Sequence, residues 1–91
     1  MKTIYKYTLV LGSTNLKMPI GAKILTAQKQ DGQLRLWALI DTETEQPMET
    51  RHFMVYGTGD VLPKNPGTYL STLQDGSYVW HVFEWGVFQI V

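Results

Sequence analysis

The sequence predicts an all-β domain, a small antiparallel sandwich or partly open barrel of six to eight short strands. Two Asp-Gly dipeptides, Asp31-Gly32 and Asp75-Gly76, each separate two strand-like runs of similar length. A two-residue type I′ turn requires positive φ at both central positions, and Asp-Gly adopts this conformation at low cost. No long stretch follows the 3.6-residue period of a helix. Together these observations favour antiparallel sheet along the whole chain.

The individual strands are predicted from period-two alternation of apolar residues and from the turn residues between them. Pro19 cannot donate a ladder hydrogen bond, so we place it at a sheet edge or a strand end. The acidic stretch 42–50 has no apolar period and is predicted to be a solvated loop. The predicted strands are 3–11, 15–18, 22–30, 33–41, 51–56, 68–74 and 77–85. We assign residues 1–91 to a single β domain, in which the apolar tail 85–91 is an added strand.

Each Asp-Gly turn also predicts a cross-strand register, because the loop length sets which residues face each other. The first turn pairs Ile24 with Leu39, Leu25 with Ala38, Thr26 with Trp37, Ala27 with Leu36 and Gln28 with Arg35. The second turn pairs Leu73 with Tyr78, Ser71 with Trp80 and Tyr69 with Val82. In the first hairpin the predicted partners are chemically compatible throughout, which supports that register.

Strand 77–85 is apolar on both faces, which is typical of a strand that is covered on both sides. One cover is the core of the domain itself. In so short a chain we expect the second cover to be another copy of the protein, so a homo-oligomer is predicted. The candidate interface residues are Tyr78, Trp80, Phe83, Trp85 and Phe88.

Composition excludes several classes of protein. Eight Lys and Arg residues balance eight Asp and Glu residues, which disfavours non-specific nucleic-acid binding because that requires excess positive charge. The absence of cysteine excludes disulfides, thiolate zinc sites and thiol catalysis. No apolar run approaches the roughly 20 residues of a membrane-spanning helix, and the start of the chain alternates like a strand rather than a signal peptide. We therefore expect a cytoplasmic protein with no membrane partner.

Metal and catalytic motifs do not rise above background. His52 and His81 are the two histidines and lack the spacing of a metal site. A triad could be drawn from Ser71, His81 and Asp75, but no nucleophile elbow surrounds any serine. We predict no catalytic residue, no metal and no cofactor.

The turn Tyr56-Gly57-Thr58-Gly59 is the best local candidate for a ligand site. Successive backbone N–H groups in such a turn can form an anion-binding concavity, although two glycines also serve a tight turn alone. Aromatic and Arg side chains on a sheet face hold nucleobases, and Trp37 beside Arg35 is the best exposed pair. The candidate ligand-binding residues are Arg35, Trp37, Arg51, His52, Tyr56, Gly57, Thr58 and Gly59.

Four segments of the chain resemble the successive signatures of a known family. They are Met18-Pro19-Ile20-Gly21-Ala22-Lys23-Ile24-Leu25, Leu36-Trp37-Ala38-Leu39-Ile40-Asp41, Tyr56-Gly57-Thr58-Gly59 and Trp80-His81-Val82-Phe83-Glu84. The family consists of short uncharacterised proteins encoded by tailed phages and bacterial prophages. The resemblance covers Lys2 to Glu84, and the apolar tail lies outside it. It implies an accessory protein that acts by binding inside the bacterial host.

The leading hypothesis is a non-enzymatic phage-type protein that inhibits a host defence system by binding. Its partner is either a host protein or a nucleotide-like small molecule. A host protein would contact a flat aromatic and acidic face that includes Glu43, Glu45 and Glu49, whereas a nucleotide would occupy the Tyr56–Asp60 turn. The alternatives are a small nucleotide-processing enzyme with His52 as its base, or a minor structural component of a virion.

Overall fold

The computed structural model describes residues 1–42 and 47–86, and within them the chain forms two antiparallel sheets and no helix. The strands are β1 (Lys2–Leu9), β2 (Gly12–Pro19), β3 (Lys23–Gln30), β4 (Gln33–Asp41), β5 (Met48–Gly57), β6 (Thr68–Asp75) and β7 (Tyr78–Trp85). One sheet has the order β1-β4-β3 and the other the order β2-β5-β7-β6. The all-β prediction is confirmed, and two sheets that do not close on one another fit a small sandwich or partly open barrel.

The first hairpin has the predicted turn and, near that turn, the predicted register. Asp31 and Gly32 have φ values of 53° and 74°, as a type I′ turn requires. The predicted pairings of Thr26, Ala27 and Gln28 are confirmed. Beyond them a bulge at Leu25 shifts the register, so that Ile24 faces Ala38 and Lys23 faces Leu39. The predicted partners of Leu25 and Ile24 are therefore wrong, because an extra residue reverses which side chains point inward. Ile24 packs on the core, whereas Leu25 is 43% exposed.

The second hairpin turns one residue later than predicted. Its central residues are Gly76 and Ser77, and Asp75 ends β6 opposite Tyr78. Gly76 has a φ of 61° while Ser77 is not left-handed, which is the pattern of a type II′ turn with glycine at its first central position. The predicted partners of Leu73, Ser71 and Tyr69 are wrong. Their partners are Trp80, Val82 and Phe83, respectively.

Two strands are longer than their local sequence predicts. β2 begins at Gly12 rather than at residue 15, and β5 begins at Met48 within the stretch predicted to be a loop. The two extensions are linked, because Met48, Glu49 and Thr50 pair with Pro19, Met18 and Lys17. Pro19 lies at the end of an edge strand, as predicted. Glu43, Glu45, Phe88 and residues 87–91 of the predicted tail strand lie outside the described residues.

The core lies between the inner faces of the two sheets. Its largest fully buried side chains are Phe53, Met18, Leu36 and Val82. They come from β5, β2, β4 and β7, so both sheets contribute. Burial of each such side chain stabilises the fold by about 1.5–3 kcal/mol. The alternation predicted for β4 is confirmed, since Leu34, Leu36, Ala38 and Ile40 are all buried.

The edge strands β3 and β6 approach each other where the two sheets meet. The buried Ser71 hydroxyl donates to the carbonyl oxygen of Ala27 at 2.9 Å, which joins β6 to β3 without a ladder. Both strands contain a register shift, at Ile24/Thr26 and at Tyr69/Ser71. Bulges bend a strand, and here they occur in the two strands that form this corner. Among the described strands, the other edges β1 and β2 are each paired on one side only.

Candidate functional site

Four turns converge at one end of the two sheets, which we call the turn end. They are the β1–β2 corner at Val10-Leu11, the hairpin turns Asp31-Gly32 and Gly76-Ser77, and the turn 58–60 that follows β5. Short loops at one end of a sandwich are carried on a rigid scaffold, which is where binding residues are commonly found.

Two clefts open at the turn end, and Trp80 lines both. The first, of about 460 Å³, is bounded by the β1–β2 corner, the start of β4 and Asp75. The second, of about 430 Å³, lies between the turn after β5 and the start of β7. Val10 and Leu11 at the rim of the first cleft are each 57% exposed. The turn end therefore combines exposed apolar surface with concave shape.

Tyr78, which lines the second cleft, stacks on Trp80, which lines both. Their ring centroids are 5.5 Å apart and the rings are inclined by only 11°. Tyr78 is 63% exposed, whereas Trp80 is partly buried and packs against the core. Gly57 lies so close to this pair that an added Cβ would be 3.1 Å from Cζ3 of Trp80. The absence of a side chain at Gly57 lets the turn after β5 approach Trp80.

Asp75 links the aromatic pair to the other sheet. One carboxylate oxygen accepts a hydrogen bond from Nε1 of Trp80 at 3.1 Å, and the other binds the amine of Lys29 on β3. The Lys29 bond, and after it the Trp80 bond, lower the pKa of Asp75. Sequence reasoning missed this role because it placed Asp75 inside the turn. The signal available was the Gly-Ser pair, which suits a type II′ turn and leaves Asp75 in the strand.

The Asp60 carboxylate closes the glycine-rich turn that follows β5. The Gly57 N–H donates to Oδ2 of Asp60 at 2.7 Å, and the Thr58 N–H donates to the carbonyl oxygen of Val79 at 3.2 Å. Asp60 therefore occupies the place that an anion would take in a backbone concavity. The second cleft is lined by Gly57, Thr58, Asp60, Ser77, Tyr78, Val79 and Trp80. Within the described chain its lining thus holds one carboxylate and no cation.

His81 lies on the outer face of the four-stranded sheet, where threonine hydroxyls contact both of its ring nitrogens. Nε2 is 2.8 Å from Oγ1 of Thr58, and Nδ1 is 3.0 Å from Oγ1 of Thr72. Ser71 and Asp75 face inward on β6, so the structure does not bring them to His81 as a triad. Tyr56 packs edge-on against Phe83 on this same face, with its hydroxyl buried and unpartnered in the described part of the chain.

Arg51 and His52 lie at the far end of β5 from the glycine turn. Gly57 is six positions along the strand from Arg51, a span of about 20 Å. Arg51 donates from Nε and Nη2 to the two carboxylate oxygens of Glu84 at 2.6 and 2.7 Å, and from Nη1 to the carbonyl oxygen of Ala22. The Glu84 hydrogen bond raises the pKa of Arg51. His52 Nδ1 is 2.6 Å from Oδ1 of Asn15.

Arg35 and Trp37 lie on the outer face of the three-stranded sheet, as predicted, and both are partly buried. Arg35 donates from Nη1 to the hydroxyl of Thr8 on β1. The eight candidate ligand residues therefore do not form one cluster. The structure brings Gly57 and Thr58 together with the interface candidates Tyr78 and Trp80, and it separates them from Arg35, Trp37, Arg51 and His52.

The other two interface candidates that the structure describes, Phe83 and Trp85, lie on the outer face of the four-stranded sheet. Phe83 contacts both Tyr56 and Tyr69 edge-on, and Trp85 is 40% exposed. β7 pairs with β5 on one side and β6 on the other. A second molecule could therefore meet β7 through a face but not through a free edge.

Residues 1–42 and 47–86 contain no cluster of three or more His, Asp or Glu side chains suited to hold a metal ion. The same described part of the chain contains no helix long and apolar enough to cross a membrane.

Comparison with known proteins identifies a family. The sequence matches the family described as Domain of unknown function (DUF7352) over residues 1–89. No curated protein and no solved structure matches the chain. The match includes residues 85–89, so most of the apolar tail, which the sequence resemblance left outside, lies within the family domain. The chain therefore belongs to the DUF7352 family of domains of unknown function.

Proposed function

We propose that this protein is a non-enzymatic binding protein that recognises a protein partner through its turn end. The observation that carries the proposal is the stacked pair of Tyr78 and Trp80, of which Trp80 lines two clefts and Tyr78 one. In the phage setting implied by the sequence resemblance, the partner is a host protein and binding inhibits a host defence system in the bacterial cytoplasm.

The chemistry of the turn end favours a protein over a nucleotide. A nucleotide phosphate needs cations or free backbone N–H groups, but Asp60 already accepts from Gly57 and the second cleft presents no cation within the described chain. The first cleft is lined mainly by apolar side chains, among them Leu9, Val10 and Leu11. Such a surface suits an apolar or aromatic anchor from another protein.

The aromatic pair has the properties of an energetic centre of an interface. Tryptophan and tyrosine dominate binding energy where they lie in partly enclosed, well-packed positions. Trp80 is held in place by its hydrogen bond to Asp75 and by the close approach of Gly57. Tyr78 covers one face of Trp80 and remains 63% exposed. Little side-chain freedom is then lost when a partner covers the pair, which favours affinity.

The histidines support a non-enzymatic role. A general base is usually oriented by a carboxylate or carbonyl group and lies within reach of a substrate. His81 contacts two threonine hydroxyls, and His52 contacts the Asn15 side chain on an edge strand. Neither lines the clefts of the turn end.

The proposal is tested with affinity-tagged protein purified from a bacterial host, followed by identification and purification of the co-purifying protein. Calorimetric titration then compares wild type with Tyr78→Ala and with the matched control Tyr5→Ala, in which the lost ring is 46% exposed on β1. Truncation of a central interface residue to alanine typically costs about 2 kcal/mol of binding free energy. We expect Tyr78→Ala to weaken binding about 30-fold, the equivalent of that energy, and Tyr5→Ala to change it less than about twofold.

Three results would contradict the proposal. Equal affinity of wild type and Tyr78→Ala would remove the turn end from the interface. A nucleotide carried by the purified protein and detected by native mass spectrometry would favour sequestration, and its turnover would favour the alternative of a nucleotide-processing enzyme. Co-sedimentation with phage particles in place of a host protein would favour a virion component.

A further inference from the structure

We propose that the outer face of the three-stranded sheet binds an acidic segment of the partner protein, with a partner carboxylate held by Arg35. This inference rests on the proposed function, because it names the chemistry of the partner next to the turn end. We call this surface the basic face. It is formed by the outward side chains of β1, β3 and β4, among them Lys2, Lys6, Lys23, Arg35 and Trp37.

Charge is unevenly distributed although the chain as a whole is neutral. Four of the eight Lys and Arg residues of the sequence lie on the basic face, namely Lys2, Lys6, Lys23 and Arg35. On the described strands of this face the one acidic side chain is Asp41, which lies 3.9 Å from the N-terminal amine. Negative charge on a partner is therefore complementary to this surface.

The cations are regularly placed along the face. Thr8 and Arg35 form one row across β1 and β4, and Lys6 and Trp37 form the next. Lys23 faces Leu39 in the third row, and Lys2 faces Asp41 in the fourth. Successive rows on one face of a strand are separated by two residues, or about 7 Å. An extended acidic segment has the same repeat on each of its faces. Its carboxylates would therefore meet cations at matching intervals.

Arg35 has an unused donor on the Nε side of its guanidinium group. This is the side through which another arginine of the same molecule binds a carboxylate. Arg51 holds Glu84 side-on, through Nε and Nη2. In Arg35 the Nη1 group is anchored by Thr8, while Nε is buried and has no hydrogen-bond partner in the described chain. A buried donor without an acceptor is unfavourable. A partner carboxylate would satisfy it in the geometry that Arg51 displays.

The Lys6 side chain spans the row that contains Arg35. Its amine donates to Oε1 of Gln30 at 2.9 Å, which carries the Lys6 side chain from β1 across β4 to β3. This bond is exposed to solvent, so water replaces it readily when Lys6 swings toward an incoming carboxylate. The displaced amine then supplies a second positive charge to the same group.

The basic face is continuous with the turn end. Thr8 and Gln33 line the first cleft, and Thr8 is the residue that anchors Arg35. Trp37, next to Arg35 on the same face, is of the residue type most enriched at interface centres. A partner with an apolar anchor in the first cleft can therefore place adjoining acidic residues on the basic face.

An acidic protein segment fits this face better than a nucleic acid does. The face also presents apolar side chains, with Ile4 55% exposed and Leu39 partly buried beside it. One aromatic ring, Trp37, faces outward among the described residues of these three strands, whereas sheets that bind single strands stack successive bases on several rings. The zero net charge of the chain further weakens the long-range attraction on which nucleic-acid binding depends.

The test uses defined probes and the whole protein. Isotope-labelled protein is titrated with deca-glutamate and, separately, with a ten-nucleotide oligothymidine, and the side-chain resonances of Arg35 Nε–H and Trp37 Nε1–H are followed. We expect deca-glutamate to shift both resonances and to bind more weakly as salt rises. Arg35→Lys should weaken binding about tenfold, because lysine keeps the charge but cannot hold a carboxylate side-on. Lys17→Gln, which removes an exposed cation from β2, should change it less than about twofold.

Three outcomes would overturn the inference. They are unshifted Arg35 and Trp37 resonances, equal effects of Arg35→Lys and Lys17→Gln, and tighter binding of the oligothymidine than of deca-glutamate. Its failure is distinguishable from failure of the proposed function, since Tyr78→Ala affects the turn end and leaves the probe titration unchanged. Suppose that Tyr78→Ala abolishes partner binding while Arg35→Lys changes the binding of neither the partner nor the probe. That result would support the turn end as the binding surface and refute the proposal for the basic face.

Discussion

Replacing Arg51 with alanine removes one half of the ion pair between β5 and β7, and we predict a large loss of stability. The two side chains are only 14% and 15% exposed. Without Arg51, the Glu84 carboxylate loses two charge-assisted hydrogen bonds, and the Ala22 carbonyl oxygen loses a donor. Breaking a buried pair by deleting one partner costs about 3–5 kcal/mol. Because a small part of this pair reaches water, we expect about 3 kcal/mol, at the lower end of that range.

This loss is large relative to the stability of a small domain, which is about 5–15 kcal/mol. It corresponds to a decrease in melting temperature of roughly 12–24 °C for a chain of this size. Urea unfolding followed by tryptophan fluorescence measures the free energy of unfolding directly. The control is Lys17→Gln, an exposed cation whose loss should change stability by less than about 0.5 kcal/mol.

A second variant separates the ion pair from simple packing. Arg51→Met combined with Glu84→Leu replaces both charges by apolar groups of similar size and should recover most of the lost stability, since no charge is left unpaired. A loss below about 1 kcal/mol for Arg51→Ala would place the pair among ordinary surface ion pairs and refute the reasoning.

Three further predictions concern stability. The pKa of Asp75 is lowered in the folded protein. Its ionised carboxylate therefore stabilises the fold at pH values above the ordinary pKa of about 3.9. The difference in stability between wild type and Asp75→Asn should therefore be constant near neutral pH and disappear as pH falls below about 4 in urea titrations; a pH-independent difference would contradict this. Gly67→Ala should destabilise by more than about 2 kcal/mol, because the added Cβ would lie 2.3 Å from the Glu84 carbonyl oxygen at a φ of 96°. In Gly86→Ala the Cβ meets nothing within 4 Å, so thermal melts of the two variants should differ clearly. Phe53→Ala, in a fully buried position, should cost about 3–5 kcal/mol in chemical unfolding, and a loss under about 1 kcal/mol would disprove its place in the core.

Local patterns in the sequence were sufficient to locate the seven described strands and to identify one turn, but they did not give the starts of β2 and β5. Asp31-Gly32 predicted a type I′ hairpin, and the register held as far as Thr26. The predicted register is wrong from the bulge at Leu25 onward, because nothing in the local sequence distinguishes Ile24 from Leu25 as the inward residue. The position of the second turn was predicted wrongly because Asp-Gly and Gly-Ser overlap there. Which of the two dipeptides forms the turn depends on contacts of Asp75 with Lys29 and Trp80. These contacts come from elsewhere in the chain.

The candidate site was predicted in part. The glycine turn and the aromatic residues of β7 were identified separately, and the structure brings Gly57 and Trp80 together through the pairing of β5 with β7. The role of Arg51 was not predictable from spacing, since Glu84 lies 33 residues away. Asp60 was assigned to the same turn, but its bond to Gly57 depends on backbone geometry that composition does not reveal.

The central claim, that the turn end is the surface that recognises a protein partner, is tested most directly by hydrogen exchange of the protein alone and in complex with the purified partner. We predict that protection on binding is strongest in residues 57–60 and 76–80 and extends to residues 33–37, with little change around Arg51 and Glu84. Protection confined to the outer face of the four-stranded sheet, around Phe83 and Trp85, would contradict the account.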